Sequence, residues 1–296
     1  FLTEYNMSLY EFYQNTGARS LFRLKKWAGL IEDDRDVDDK IYSMLTGLFH
    51  INSKRLLDYW IRYINGDASA YSDEEKIMRN MLYYTFYKKH PGKYGFKDID
   101  EGIYSVLCEP FVRDEVLQIL EYNRRHIGFI AGRNEYSYVC PLDLHCRYNT
   151  NQIMAAYGVF TETQSPEFRE GVKYLEEKRT DIFLINLNKS EKDFSPSTMY
   201  EDYAINDRLF HWQSQSQDRQ SSAKIQRYIH HKDTGNLISL FIREYKKTGS
   251  YTAPFTFLGN ADYVRHEGEK PVSFIWRLHN PLPADLLPKA NKTIAM

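Results

Sequence analysis

The stretch Tyr200 to Gln215, YEDYAINDRLFHWQSQ, gathers two tyrosines, a tryptophan, a histidine, three carboxylates and two glutamines within sixteen positions. A core strand usually alternates aliphatic residues with solvent-facing polar ones, so this density of planar and hydrogen-bonding groups calls for a chemical use. Placed on a strand, Leu209 to Gln215 puts Phe210, Trp212 and Ser214 on one face and His211, Gln213 and Gln215 on the other. Aromatic stacking beside amide and carboxylate hydrogen bonds is what holds an extruded nucleobase. Tyr200, Asp202, Tyr203, Phe210, Trp212 and Ser214 are therefore candidate base-pocket residues. A buried polar network tying two sheets together, with Trp212 as core, competes with that use.

A second constellation follows. QDRQSSAKIQRYIHHKD supplies Arg219, Lys224, Arg227, His230, His231 and Lys232 with little acid between them. Interleaved Ser and Gln on a flexible loop suit phosphate contacts, and a solvated loop is the plainer alternative. Lys189, in NKSEKDFSPST, and Arg208 complete the set expected on a DNA backbone. A rival chemistry lies in LISLFIREYKK. Glu244 and Lys246 have the E-x-K spacing of metal-dependent nucleases, with Asp233 or Asp202 to be recruited. Three residues make a weak motif, because strands often end in a charged, solvated tail. The chain has no GxxxxGK[ST] loop, GxGxxG, GxSxG elbow or HExxH, so no catalytic residue and no metal site is assigned.

The elements that must position these groups divide in two. Up to about residue 130 the periodicity is helical. Leu56, Leu57, Trp60, Ile61 and Ile64 form one stripe behind an N-cap at Asn52 or Ser53. SDEEKIMRNMLYYTFYKKH begins at Ser72 with a capping-box Glu75 and ends in a basic turn. RDEVLQILEYNRRHIG reads as one more amphipathic helix. A short helix, TNQIMAAYG, stops at Gly158. Beyond it come five candidate strands: TDIFLINLN, RLFHWQSQS, LISLFIREYKK, APFTFLGNADYV and PVSFIWRL, separated by turns such as Thr234-Gly235-Asn236. With no helix expected among them, they suggest a curled antiparallel sheet or small barrel. The expected class is α+β, a helical part over 1–130 followed by a β-rich domain over 131–296.

Composition bounds the partners. A length of 296 residues with 42% hydrophobic and 27% charged residues fits one large or two ordinary globular domains. The net charge of -1 offers no global field for nucleic acid, so a DNA surface must be a local patch. The three cysteines, Cys108, Cys140 and Cys146, are irregularly spaced, as expected of reduced thiols in a cytoplasm. No apolar run is long enough to span a bilayer. The first residues, FLTEYNMSLYEFY, lack both an initiating Met and a basic n-region, as expected of a segment cut from a longer polypeptide.

Several longer stretches resemble a known family: NLNKSEKDFSPSTMYEDYAINDRLFHWQSQS, IREYKK, FTFLGNADYVRHEG and PVSFIWRLHNPLP. They are similar to domains that follow DEAD/DEAH-type helicase domains in bacterial proteins, often with a phospholipase-D-like nuclease at the N-terminus. RYNTNQIMAAYG resembles the element opening that family's β domain, and GARSLFRLKKWAGL its helical entry. The nearest likeness is to the target-recognition region of ATP-dependent type IV restriction enzymes, which cut DNA bearing modified cytosine. The resemblance implies a non-catalytic reader of duplex DNA with 5-methylcytosine or 5-hydroxymethylcytosine. Motor and nuclease would lie elsewhere in the polypeptide and use ATP and Mg, and the parent could be a homodimer. It also implies an SRA/PUA-like β domain that flips the base. Trp212 or Tyr200 would stack on it, Asp202 would accept from its exocyclic amine, and Tyr203 or Phe210 would line a methyl subpocket. A metal-dependent nuclease and a structural coupling or dimerisation domain of a helicase are the alternatives.

Overall fold

The computed structural model describes residues 7–33, 35–36, 38–168, 171–188 and 202–291. Two compact units emerge. The first comprises residues 1–131, 135–167 and 249–251, and the second 132–134, 168–248 and 252–296. Residues 135–167, which the sequence pattern grouped with the β-rich part, thus belong to the helical unit.

The first unit contains α1 (Leu9–Asn15), α2 (Leu21–Trp27), α3 (Asp39–Leu45), α4 (Lys54–Ile64), α5 (Asp73–Phe86), α6 (Ile99–Leu107), α7 (Pro110–Arg125), a short strand β1 (Arg147–Tyr148) and α8 (Thr150–Ala156). Ser53 caps α4 by accepting from the Leu56 amide. Ser72 and Glu75 form the expected capping box on α5. That helix stops at Phe86, so Lys88 and Lys89 fall outside its last turn. Trp60, fully buried, donates its Nε1–H to the Met78 carbonyl at 2.8 Å, joining α4 to α5. Buried Glu115 on α7 accepts from Tyr13 Oη (2.7 Å) and from the amides of Leu21 (2.6 Å) and Phe22 (3.3 Å). A carboxylate here satisfies the orphan N–H groups that open α2.

The second unit is a mixed sheet backed by a helix. Its strands are β2 (Val172–Leu175), β3 (Thr180–Asn186), β4 (Tyr203–Ala204), β5 (Leu209–Gln213), β6 (Leu237–Arg243), β9 (Phe255–Glu267) and β10 (Ser273–Leu278), while the short segments β7 (Lys247–Thr248) and β8 (Tyr251–Thr252) pair with each other as a separate ribbon. The main path runs β2-β3-β6-β9-β10-β5-β4. All five expected strands are present. Two expectations are corrected. The β3–β6 pair is parallel, so the sheet is not wholly antiparallel, and among the described residues the path runs from β2 to β4 as an open sheet rather than a barrel. A helix also interrupts the strands: α9 (Ala223–Ile229) forms within the segment expected to be a flexible loop. The final helix is α10 (Leu287–Ala290).

The core lies between the sheet and α9. Ile225 and Tyr228, one turn apart on α9, are fully buried against Phe183, Phe210, Trp212, Phe274 and Trp276. Phe274 and Trp276, two residues apart on one face of β10, stack with centroids 5.3 Å apart, and Phe183 meets Trp212 at 4.4 Å. Burying each such ring contributes about 2–3 kcal/mol of transfer free energy. Gly235 (φ 67°) and Gly268 (φ 78°) sit in turns that need left-handed backbone. Cys108, Cys140 and Cys146 form no disulfide. Among the described residues no helix is long and apolar enough to cross a membrane.

Candidate nucleic-acid interface

Strand alternation decides which of the expected residues can meet a ligand. On β5, Phe210 and Trp212 point into the helix-covered core, with Phe210 fully buried and Trp212 6% exposed. Neither is placed to stack on an incoming base; Trp212 packs as core against Phe183, Tyr228 and Phe274. Ser214, also fully buried, is a backbone clasp: its Oγ accepts from the Val272 amide at 3.0 Å while its own amide donates to the Val272 carbonyl at 2.9 Å. Asp202 is 4% exposed and its Oδ1 accepts from the Gln213 amide at 3.0 Å, so this carboxylate covers an edge N–H of β5. Tyr200 and Lys189 lie outside the described residues.

The opposite face of β5 is different. Tyr203 on β4 pairs with His211 on β5, His211 with Ile275 on β10, and Ile275 with Arg265 on β9. Directly paired residues of antiparallel strands share a face, so Tyr203, His211, Ile275 and Arg265 form one row across four strands. Three interstrand gaps give it a span of about 14 Å. The Tyr203 and His211 rings stack at 4.7 Å with an interplanar angle of 20°. In the adjoining row Gln213 Nε2 donates to Ser273 Oγ at 3.2 Å. On the other side Arg277 pairs with Leu209. His211 is buried at 9% exposure, Tyr203, Gln213, Ser273 and Ile275 are half-buried, and Arg265 and Arg277 are exposed. Arg208 is exposed beside them, its carbonyl accepting from the Leu278 amide at 2.8 Å. None of these three arginines has an ion-pair partner among the described residues. The same register sets Asp262 opposite Arg277 and Glu267 opposite Ser273, so the face carries both signs, with the arginines not ion-paired to a described residue.

The expected phosphate grip divides along similar lines. Arg219 is exposed, and exposed His230 pairs with Asp233 at 3.1 Å. Lys224 Nζ is held by Asp218 (2.8 Å) and Gln215 Oε1 (2.9 Å). Arg227 is structural. Its Nε and Nη2 each donate at 2.8 Å to opposite oxygens of Asp181, and its guanidinium lies 3.8 Å above the Tyr174 ring. Burial pulls its pKa down, but the bonds to Asp181 outweigh that and the net direction is upward. His231 is also structural. A carbonyl can only accept, so Nδ1–H donates to Asn236 O at 3.0 Å, while Nε2 accepts the Tyr263 amide at 2.9 Å. These contacts define a neutral imidazole, and burial lowers its pKa accordingly.

The E-x-K arrangement also lacks its strand. β6 ends at Arg243, before Glu244 and Lys246, while Asp233 pairs with His230 and Asp202 with the Gln213 amide. Among the described residues no group of three His, Cys, Asp or Glu side chains could hold a metal ion. Ile275, Arg265 and Arg277 were not singled out from the sequence, although SFIWRL carries the signal: Phe274, Trp276 and Leu278 alternate with Ser273, Ile275 and Arg277.

These features define an α+β chain whose helix-backed sheet turns a partly open, arginine-flanked aromatic face outward. A family model described as "Domain of unknown function (DUF3427)" matches residues 142–289, half of the 296-residue chain, and the chain belongs to that family. The matched span includes the whole cross-strand row. A comparison with curated proteins gives no match.

Proposed function

We propose that this chain is the target-recognition part of an ATP-dependent type IV restriction endonuclease. It binds duplex DNA containing 5-methylcytosine or 5-hydroxymethylcytosine, with the base extruded toward the sheet. The observation that carries this is the row Tyr203–His211–Ile275–Arg265 on the partly open face, flanked by Arg277 and Arg208. Exposed arginines without an ion-pair partner among the described residues complement a phosphodiester backbone in charge. A stacked aromatic pair beside an amide and a hydroxyl suits the face and polar edge of an unstacked pyrimidine. The long resemblances described above point the same way. Cleavage and translocation, with their ATP and Mg, belong to nuclease and helicase domains of the same polypeptide.

The test is a fluorescence-anisotropy titration of the 296-residue chain. Duplexes identical except for unmodified, methylated or hydroxymethylated cytosine are compared in EDTA at about physiological salt. Tighter binding to the modified duplexes is expected. Arg265→Ala and Arg277→Ala should each weaken all duplexes alike and reduce the salt slope by about one. Equal affinity for all three duplexes refutes modified-base reading. Absence of DNA binding, with self-association instead, would make the chain a structural coupling module.

A further inference from the structure

We infer that Ile275 reads the 5-position of the cytosine. This inference rests on the function proposed above and assigns the specificity of that same face. Ile275 is the aliphatic residue at the centre of this face, with half-buried Leu209 diagonal to it in the adjoining row. Its cross-strand neighbours are His211 and Arg265, and its same-face neighbours along β10 are Ser273 and Arg277. It is the one aliphatic member of the four-residue row, half-buried where the ends of the row offer an aromatic stack and a cation. A base stacked on the half-buried Tyr203 ring extends past His211 along the row toward Ile275, with its flanking phosphate toward Arg265.

The chemistry at that point discriminates. Hydrogen at the 5-position gives the isoleucine little to cover, whereas a methyl group removes apolar surface from water on both partners. One methyl in such a contact favours binding by about four- to tenfold. A hydroxymethyl group must turn its hydroxyl away from the aliphatic surface or lose a hydrogen bond to water. It therefore ranks between methyl and hydrogen. Trp212 and Phe210 cannot make this contact, because they line the other face.

The experiment measures affinity ratios of the 296-residue chain for methylated, hydroxymethylated and unmodified duplexes. Ile275→Thr keeps β-branching and hence strand preference while placing a hydroxyl at the contact. Ile275→Val keeps the apolar contact and controls for altered packing, and thermal melting of each variant reports folding. The inference expects the ratio of methylated to unmodified affinity to fall below about twofold in Ile275→Thr and to persist in Ile275→Val. Full preference retained in folded Ile275→Thr overturns the role of Ile275 and leaves the reader function standing. A parent chain that binds DNA without any methyl preference overturns both.

Discussion

Replacing Arg227 separates a structural cation from a DNA-gripping one. Asp181 is 1% exposed and accepts two bonds from the guanidinium and a third from Asn236 Nδ2 at 2.9 Å. Arg227→Ala leaves that buried carboxylate with Asn236 as its remaining described donor. Removing one partner of a buried pair costs about 3–5 kcal/mol. The Arg227 side chain is 23% exposed, so water can partly rescue the site and the expected loss is about 3 kcal/mol. With a urea m-value of about 2 kcal/mol/M, the unfolding midpoint should fall by about 1.5 M. Fluorescence of Trp212 and Trp276, in the same unit as the pair, follows that transition. Arg227→Lys keeps the charge but loses the two-pronged geometry, so it should also destabilise. The salt slope of DNA binding should be unchanged in both variants. A midpoint unaffected by Arg227→Ala, together with a salt slope reduced by about one, would refute the structural role and restore Arg227 as a phosphate contact.

Trp212→Ala should destabilise the second unit by about 3–5 kcal/mol, because it empties a core site beside Phe183; an unchanged melting temperature would contradict the core placement. His231 should make stability pH-dependent in a defined direction. Its folded pKa is depressed by burial, with Asp262, Lys232 and His279 as its charged and titratable surroundings. Its contribution is therefore complete above an unfolded pKa of about 6.5 and is lost as pH falls toward the folded value. Urea midpoints between about pH 5 and 8 should be less pH-dependent in His231→Asn, and an identical slope would exclude this pin. Glu115 shifts oppositely, raised by burial, so its contribution is complete below the unfolded pKa and declines as pH rises through the folded one. Glu115→Ala should cost about 2–3 kcal/mol by stranding the Leu21 and Phe22 amides and the Tyr13 hydroxyl, as thermal melting would show.

Local periodicity carried the strands and the helix cap, and non-local pairing carried what was missed. Alternation in RLFHWQ and SFIWRL is visible in any window of six residues, as is the Ser72-x-x-Glu75 box. The roles of Arg227 and His231 were not visible. Arg227 finds Asp181 46 positions away and His231 finds Tyr263 32 positions away. A run of cations resembles a phosphate grip until those partners are known. α9 escaped because it is only seven residues long and its apolar stripe, Ile225, Tyr228 and Ile229, lies within a run of cations and amides. The parallel β3–β6 pair did leave a trace. IFLI and LFI are continuous apolar runs, which suit strands buried on both faces. Trp212 illustrates the opposite hazard: a costly residue type in a functional-looking stretch still serves packing when alternation points it inward.

The pairing of β5 with β10 also has a consequence for biosynthesis. Gln213 meets Ser273 sixty positions later in the chain. A ribosome adding about 5–20 residues per second exposes β4 and β5 several seconds before the strand that completes their ladder. Until Ser273 to Leu278 emerges, Tyr203 and His211 stand without Ile275 and Arg277, and Phe210 and Trp212 without Phe274 and Trp276. A nascent chain therefore lacks the assembled cross-strand row, which is completed only with the last hairpin of the sheet.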